Sequence, residues 1–159
     1  MAKAMTETAT KPDSLTLTRV FDAPVDLVWR CWTEDAHLRK WSAPRGFTIP
    51  RSEGDLRVGG KWRVVMRTPE GGELGLGGVY REIVSNKLLV MTHVWDEEAD
   101  SGVESIVTVR FEDLGSRTKM TFEQTGFVSD ESCKGHEEGW GECFDILAEH
   151  LAALQQADA

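Results

Sequence analysis

The chain has 159 residues, 40% of them hydrophobic and six of them tryptophan, which suffices for one domain with its own core and hardly for a second. Its net charge of −9 repels phosphate backbones and anionic lipid, so we expect no nucleic-acid partner. No apolar run approaches the roughly 20 residues of a membrane span, and the N-terminus lacks the apolar middle of a signal peptide, so we expect a cytoplasmic protein without a membrane span.

The N-terminal segment is small and polar and contains no apolar period. This composition predicts a disordered tail over residues 1–14 and a single domain over residues 15–155. Apolar and polar residues then alternate over residues 15–21, which indicates a first strand.

Two short helices are predicted next. Pro24 suits the first turn of a helix, because its missing N–H needs no partner there. Thr33 is predicted to end this helix and to cap a second one, which stops at Pro44. The apolar residues of the first helix share one face: Val25, Val28, Trp29 and Trp32.

A long region of period two follows, interrupted by glycine and proline. It predicts strands over residues 47–51, 54–58, 61–68, 74–84, 88–95, 103–112 and 118–124. The last two alternate apolar with polar side chains, which is typical of an antiparallel sheet with water on one side and a cover on the other. The glycine-rich run at residues 71–78 matches no phosphate-binding motif and predicts a hairpin turn with a kinked strand.

The C-terminal stretch predicts the cover. Its large apolar residues recur at steps of four and three, which places them on one stripe of a helix: Trp140, Phe144, Leu147, Leu151 and Leu154. A helix of about 20 residues is about 30 Å long and can cross a small domain. The order of strand, two helices, hairpin-joined strands and long helix predicts the α+β class.

The cysteines, Cys31, Cys133 and Cys143, are odd in number and scattered, as expected of reduced intracellular thiols. The chain contains no C-x-x-C, H-x-x-x-H or H-E-x-x-H spacing. We therefore expect buried or partly buried inert thiols, no metal and no other cofactor.

Several segments together resemble the activator-of-Hsp90-ATPase-like (AHSA1-like) family of the START/Bet v 1-like (SRPBCC) superfamily. The resemblance covers nearly everything from Leu15 to Leu154. It rests on L-T-L-T-R-V-F-D-A-P-V-D-L-V-W-R-C-W-T at residues 15–33, H-L-R-K-W at 37–41, G-G-K-W-R at 59–63, G-V-Y-R-E-I at 78–83, V-R-F-E-D at 109–113, and T-G-F followed by H-E-E-G-W.

The resemblance implies a helix-grip fold, in which a curved antiparallel sheet wraps around the long C-terminal helix and encloses a cavity. Superfamily relatives bind lipids, hormones, polyketides and other apolar molecules there, so we expect a small hydrophobic or aromatic ligand. One alternative is a polyketide cyclase/dehydratase-like enzyme in which His93 or Glu82 assists proton transfer. Another is a stress-related or Hsp90-type chaperone-interaction protein, with the acidic loop 96–100 as its candidate surface.

The eukaryotic Hsp90 activators carry a separate Hsp90-binding domain before this one, whereas 14 residues precede the first predicted strand of this chain. The family name is therefore not taken as the activity. The partners considered from the sequence are a small apolar molecule and a second copy of this chain.

The predicted ligand-binding residues are aromatic, sulfur-containing or histidine side chains on the inward faces of these elements. They are Trp29, Trp62, Met66, Met91, His93, Trp95, Phe122, His136 and Trp140. His93 is expected either to offer a ligand one of its few polar contacts or to be a core residue held by an internal partner. His136, four residues before Trp140, either contacts the ligand or makes a hydrogen bond that fixes the helix start.

Gly135, Gly139 and Gly141 each weaken the terminal helix by about 1 kcal/mol. They indicate either close packing onto the sheet or a loosened helix end that opens the cavity. We predict no catalytic residues, because the chain has no G-x-S-x-G motif and no cysteine with an assignable histidine. Glu82 is the carboxylate that its strand could turn inward, with a structural salt bridge as the alternative.

Overall fold

The computed structural model describes residues 14–99 and 104–157, so the predicted tail lies outside the described residues except for its last position. That position, Ser14, belongs to the first strand. Of the helices in the described ranges, none combines the length and the apolar character that crossing a membrane requires.

The described residues form seven strands, three α-helices and one short 3₁₀ helix. The strands are β1 (Ser14–Phe21), β2 (Thr48–Gly54), β3 (Lys61–Arg67), β4 (Glu73–Val84), β5 (Leu88–Trp95), β6 (Ser105–Asp113) and β7 (Thr118–Thr125). The helices are α1 (Val25–Thr33), α2 (Asp35–Trp41) and α3 (Asp130–Ala157), and the 3₁₀ helix is Asp96–Glu98.

All neighbouring strands pair antiparallel in one sheet of order β1-β7-β6-β5-β4-β3-β2. The first strand pairs with the last strand of the chain, β7, with Ser14 opposite Thr125 and Phe21 opposite Thr118. The segment α1–α2 therefore connects one edge of the sheet to the other. The sheet curves around α3, which confirms the α+β class and the helix-grip fold.

The predicted stripe on α3 is confirmed. Phe144 and Leu147 are fully buried, and Leu151 is nearly so. Trp140 and Leu154, at the two ends of the stripe, are partly buried and pack against the same core. The core continues into an aromatic cluster on the sheet and on α1 and α2, with ring centroids 4.6–6.2 Å apart: Trp32, Trp41, Phe122, Trp140 and Phe144.

Two local predictions are wrong. Thr33 does not cap α2, because its hydroxyl donates to the carbonyl of Trp29 within α1 (2.9 Å) and the cap position belongs to Glu34. The strand predicted at residues 54–58 does not form either. The backbone N–H of Arg57 there donates to the carbonyl of Asp55 (2.8 Å), which turns the chain instead of extending it.

The glycine-rich run forms the predicted hairpin between β3 and β4. Gly71 has a φ of 94°, which an L side chain rarely adopts, and the Thr68 N–H donates to the Gly72 carbonyl across the turn (2.8 Å). Further along β4, a Cβ on Gly78 would collide with the Thr92 carbonyl of β5. Glycine at this position lets the two strands approach closely.

Candidate functional site

A cavity of about 430 Å³ lies between α3, the sheet and the α2–β2 segment. Its volume falls within the range of about 300–1,000 Å³ that small-molecule sites occupy. Solvent-exposed residues of its wall, Glu53, Leu74 and Gly135, mark where it opens to water.

The sheet supplies most of the apolar wall. Period-two alternation on β3, β4 and β5 turns every second side chain inward, as the sequence pattern predicts. The inward residues that line the cavity are Trp62, Val64, Met66, Leu74, Leu76, Tyr80, Met91, His93 and Trp95.

The first half of α3 supplies the opposite wall. Its cavity-lining residues recur at helical spacing: Ser132, Gly135, His136, Gly139, Trp140 and Cys143. A Cβ on Gly135 or Gly139 would meet no described atom within 4 Å apart from its chain neighbours and the adjacent backbone of its own helix. The interpretation that these glycines allow close packing onto the sheet is therefore wrong. They leave open space instead, and the loosening of this helix end stays a prediction.

Seven of the nine predicted ligand-binding residues line the cavity: Trp62, Met66, Met91, His93, Trp95, His136 and Trp140. Trp29 and Phe122 do not, which corrects their predicted position. Phe122 faces inward from β7, but Trp140 and Phe144 cover it, with ring centroids 4.6 and 5.2 Å away. Trp29 packs edge-on against Phe111 of β6 at 5.5 Å. Contact of the seven with a ligand stays a prediction.

His93 lies among aromatic rings at the cavity wall. Its side chain is 5% exposed, and four rings lie with their centroids 5.7–6.0 Å from its own: Trp62, Trp95, His136 and Trp140. Burial first, and then the neighbouring His136, lower the pKa of His93 to about 3. The imidazole is therefore neutral at pH 7.

Two residues that line the cavity, His93 and Trp32, each have one buried polar atom, Nδ1 and Nε1 respectively, without a hydrogen-bond partner among the described residues. The alternative in which an internal hydrogen-bond partner holds His93 is therefore not supported at its Nδ1 atom. An unpaired buried polar group costs about 1–3 kcal/mol, so such groups are rare in folded proteins. Both atoms belong to residues that line the same cavity.

His136 makes the structural hydrogen bond considered for it, and it also lines the cavity. The indole of Trp95 can only donate, so Nε2 of His136 accepts that bond (2.9 Å) and carries no proton. The proton is then on Nδ1, which donates to the Ser132 carbonyl (2.8 Å). His136 thereby ties the first turns of α3 to the end of β5.

A buried chain of hydrogen bonds behind the cavity was not predicted. Trp140 Nε1 donates to Gln124 Oε1 (2.8 Å), Gln124 Nε2 donates to Ser105 Oγ (2.9 Å), and Ser105 Oγ donates to the His93 carbonyl (2.7 Å). Gln124 is fully buried. The sequence could have indicated that Gln124 faces inward, because it lies two residues after Phe122 and therefore on the same face of β7.

Glu82 and residues 96–99 of the acidic loop lie outside the cavity, and the last position of that loop, residue 100, lies outside the described residues. Glu82 is exposed, so it does not turn inward, and no ion pair of the described residues includes it. The neighbouring Arg81 instead pairs with Glu104 (2.9 Å). In the acidic loop, Asp96 accepts two hydrogen bonds of 2.5 Å from Arg63. This pairing lowers the pKa of Asp96.

A second group of chemically versatile side chains lies away from this cavity. Cys31, His37 and His150 bring their donor atoms within 4.8 Å of one another, and His37 Nδ1 lies 3.0 Å from His150 Nε2. Sequence spacing assigned no histidine to any cysteine, whereas the fold brings two histidines next to Cys31. All three cysteines are buried, as predicted.

Comparison with known proteins gives matches over nearly the whole chain. The sequence model described as "Activator of Hsp90 ATPase homolog 1-like protein" matches residues 22–152. A solved structure from Chromobacterium violaceum, CV1439, is 27% identical with a TM-score of 0.80, covering 89% of this chain and 98% of that one. A comparison with curated protein sequences gives no match.

Two further solved structures are similar. NE0264 from Nitrosomonas europaea is 29% identical with a TM-score of 0.78, covering 93% of this chain and 99% of that one. The AHSA1 protein SPO3351 from Silicibacter pomeroyi is 27% identical with a TM-score of 0.77, covering 88% of this chain and 98% of that one.

The low pKa of His93 predicts a pH dependence of stability. Between the ordinary value of 6.5 and about 3, the unfolded chain binds a proton at His93 that the folded chain does not. The free energy of unfolding should therefore fall as the pH drops through this window, by up to about 1.4 kcal/mol per pH unit from this group. Urea unfolding between about pH 6 and pH 4 should show a shallower fall for His93→Phe. Met91→Leu changes the same strand without removing a titratable group and serves as the control. Equal slopes for the wild type and His93→Phe would contradict the assignment.

Proposed function

Because the chain belongs to the activator-of-Hsp90-ATPase-homologue-1-like family, whose helix-grip fold commonly binds hydrophobic ligands, we propose that it binds one small, mainly apolar molecule in the cavity beneath α3. One observation carries the proposal. The 430 Å³ cavity is lined mainly by apolar and aromatic side chains, and two of the lining residues, His93 and Trp32, each have a buried polar atom without a partner among the described residues.

The two polar atoms specify part of the ligand's chemistry. An indole N–H only donates, so Trp32 requires a hydrogen-bond acceptor. A neutral imidazole nitrogen donates or accepts according to its tautomer. If either side chain turns toward the cavity, its polar atom can pair with a ligand oxygen, so we expect an apolar molecule that carries at least one acceptor oxygen, such as a carbonyl or a hydroxyl group. Pairing that oxygen removes a cost that the free protein bears.

The charge of the wall favours a neutral ligand. The lining residues in the described part of the chain include no lysine or arginine, while Asp35 and Glu53 contribute carboxylates. A ligand carboxylate would lose its hydration without gaining a cationic partner, which is strongly unfavourable in an apolar site. Sterol-, flavonoid- and polyketide-like molecules therefore fit better than fatty-acid anions.

Binding fits this site better than proton transfer. A general base is most effective when its pKa lies near the working pH, and the pKa of His93, about 3, makes it a weak base at pH 7. The other candidate of the cyclase/dehydratase alternative, Glu82, is exposed and outside the cavity. The chaperone-interaction alternative has less support too, because Asp96 of its candidate surface is engaged by Arg63.

Filling the cavity from α3 should abolish binding. Gly139→Leu places a side chain in open space at the cavity wall, so the protein should fold and lose its ligand site. A thermal-shift screen of fatty acids, sterols, flavonoids and polyketides identifies the probe compound. We expect neutral compounds to raise the melting temperature of the wild type and to leave that of Gly139→Leu unchanged. Glu138→Leu adds the same side chain at the exposed neighbouring position and should respond as the wild type does. Equal responses of both variants, or no response of the wild type, would contradict the proposal.

Removing a polar partner should weaken binding without closing the cavity. For a neutral oxygen-bearing compound found in that screen, His93→Phe and Trp32→Phe should each raise the dissociation constant roughly 5- to 150-fold, the equivalent of about 1–3 kcal/mol. Isothermal titration calorimetry measures this directly. Met91→Leu changes the same wall without removing a polar atom and should bind almost normally. Unchanged affinity in both phenylalanine variants would refute the assigned hydrogen bonds.

A further inference from the structure

Three side chains, one from each α-helix, meet where the three helices pack together. Cys31 lies on α1, His37 on α2 and His150 on α3, and their sulfur and nitrogen donor atoms lie within 4.8 Å of one another. Cys31 is fully buried, and the side chain of His37 is 15% exposed. None of the three lines the ligand cavity. The cluster is therefore a separate feature, and it is independent of the proposed function.

We propose that Cys31 Sγ, His37 Nδ1 and His150 Nε2 bind one divalent transition-metal ion, with Zn²⁺ as the ion that fits best. One thiolate and two imidazoles suit a borderline-soft cation, and zinc accepts three protein ligands with a water in the fourth position. Bonds of about 2.3 Å to sulfur and 2.0–2.1 Å to nitrogen place tetrahedral donors ~3.3–3.6 Å apart. The present spacing reaches this geometry with side-chain shifts on the order of 1 Å.

The surroundings of His37 match those of a metal ligand. Its outer nitrogen, Nε2, lies 3.6 Å from Oε1 of Glu34. Metal-bound histidines usually direct this second nitrogen at a carboxylate, which holds the proton there and leaves the inner nitrogen free to coordinate. With that tautomer, His37 Nδ1 accepts the 3.0 Å hydrogen bond from His150 Nε2 in the metal-free protein.

Metal binding replaces this hydrogen bond, and it changes the protonation of His150 and Cys31. His150 gives up its Nε2 proton to solvent and takes one on Nδ1, so it stays neutral and coordinates through Nε2. Cys31 loses its thiol proton as the sulfur–metal bond forms, which releases one proton for each ion bound. Burial raises the pKa of Cys31 to about 12, so the metal-free protein carries the thiol.

The competing interpretation is a purely structural cluster, in which a histidine pair and an inert buried thiol hold the helices together. Titration of the tag-free, reduced, full-length chain with Co²⁺ separates the two. We expect one Co²⁺ per chain, a thiolate-to-cobalt charge-transfer band in the near ultraviolet, and displacement of Co²⁺ by Zn²⁺. Absence of this band would overturn the proposal.

Variants assign the ligands. Cys31→Ala should lose the charge-transfer band. His150→Gln, a change at a partly exposed position that should not prevent folding, should weaken Zn²⁺ binding by more than about 100-fold, whereas Glu34→Gln should weaken it only about 10- to 100-fold. Cys143→Ala is the matched control, since Cys143 is also buried with its pKa raised to about 12. A band that persists in Cys31→Ala, or that disappears in Cys143→Ala, would overturn the assignment.

Discussion

The packing of α3 against the sheet is the interaction on which the rest of the structure depends. Its second half buries Phe144, Leu147 and Leu151, and a fully buried side chain of this kind contributes roughly 1.5–3 kcal/mol. Its first half presents Gly135 and Gly139 to the same side of the helix and fills little space. One helix therefore closes the core at one end and leaves the cavity at the other, and Trp140 marks the boundary.

Hydrogen bonds fix that boundary. Trp140 is held through Gln124 and Ser105 to the backbone of β5, and His136 is held to Trp95 at the end of the same strand. A helix weakened by glycines can therefore keep its position over a void, because directional bonds replace the missing side-chain contacts. These bonds pair the indole N–H groups of Trp140 and Trp95, whereas Nδ1 of His93 and Nε1 of Trp32 have no partner among the described residues.

Local periodicity predicted much of this architecture. The bounds of β5, Leu88–Trp95, and the stripe on α3 follow directly from spacing in the sequence. The same reasoning wrongly placed Phe122 at the cavity. Alternation along a strand shows which face of the sheet a side chain occupies, but it does not show which neighbouring side chain covers it. It also assigned Thr33 to the wrong helix end, since a hydroxyl can bond backward to its own helix as readily as forward.

The features that sequence reasoning missed depend on contacts between distant segments. Cys31 and His150 are 119 positions apart, so no ligand-spacing motif could connect them. The chain from Trp140 to the His93 backbone joins α3 to three strands and required the register of the sheet. Such sites emerge only after the fold has been assembled, whereas the helices and strands that carry them are visible beforehand.

The most direct test of the account is where a bound ligand lies. Methionine methyl groups labelled with ¹³C report this by NMR, because Met66 and Met91 line the cavity while Met120 is fully buried outside it. With a neutral apolar compound bound, we expect nuclear Overhauser effects from the ligand to the methyl groups of Met66 and Met91 and none to that of Met120. Contacts to neither Met66 nor Met91, in a complex shown to be saturated, would contradict it.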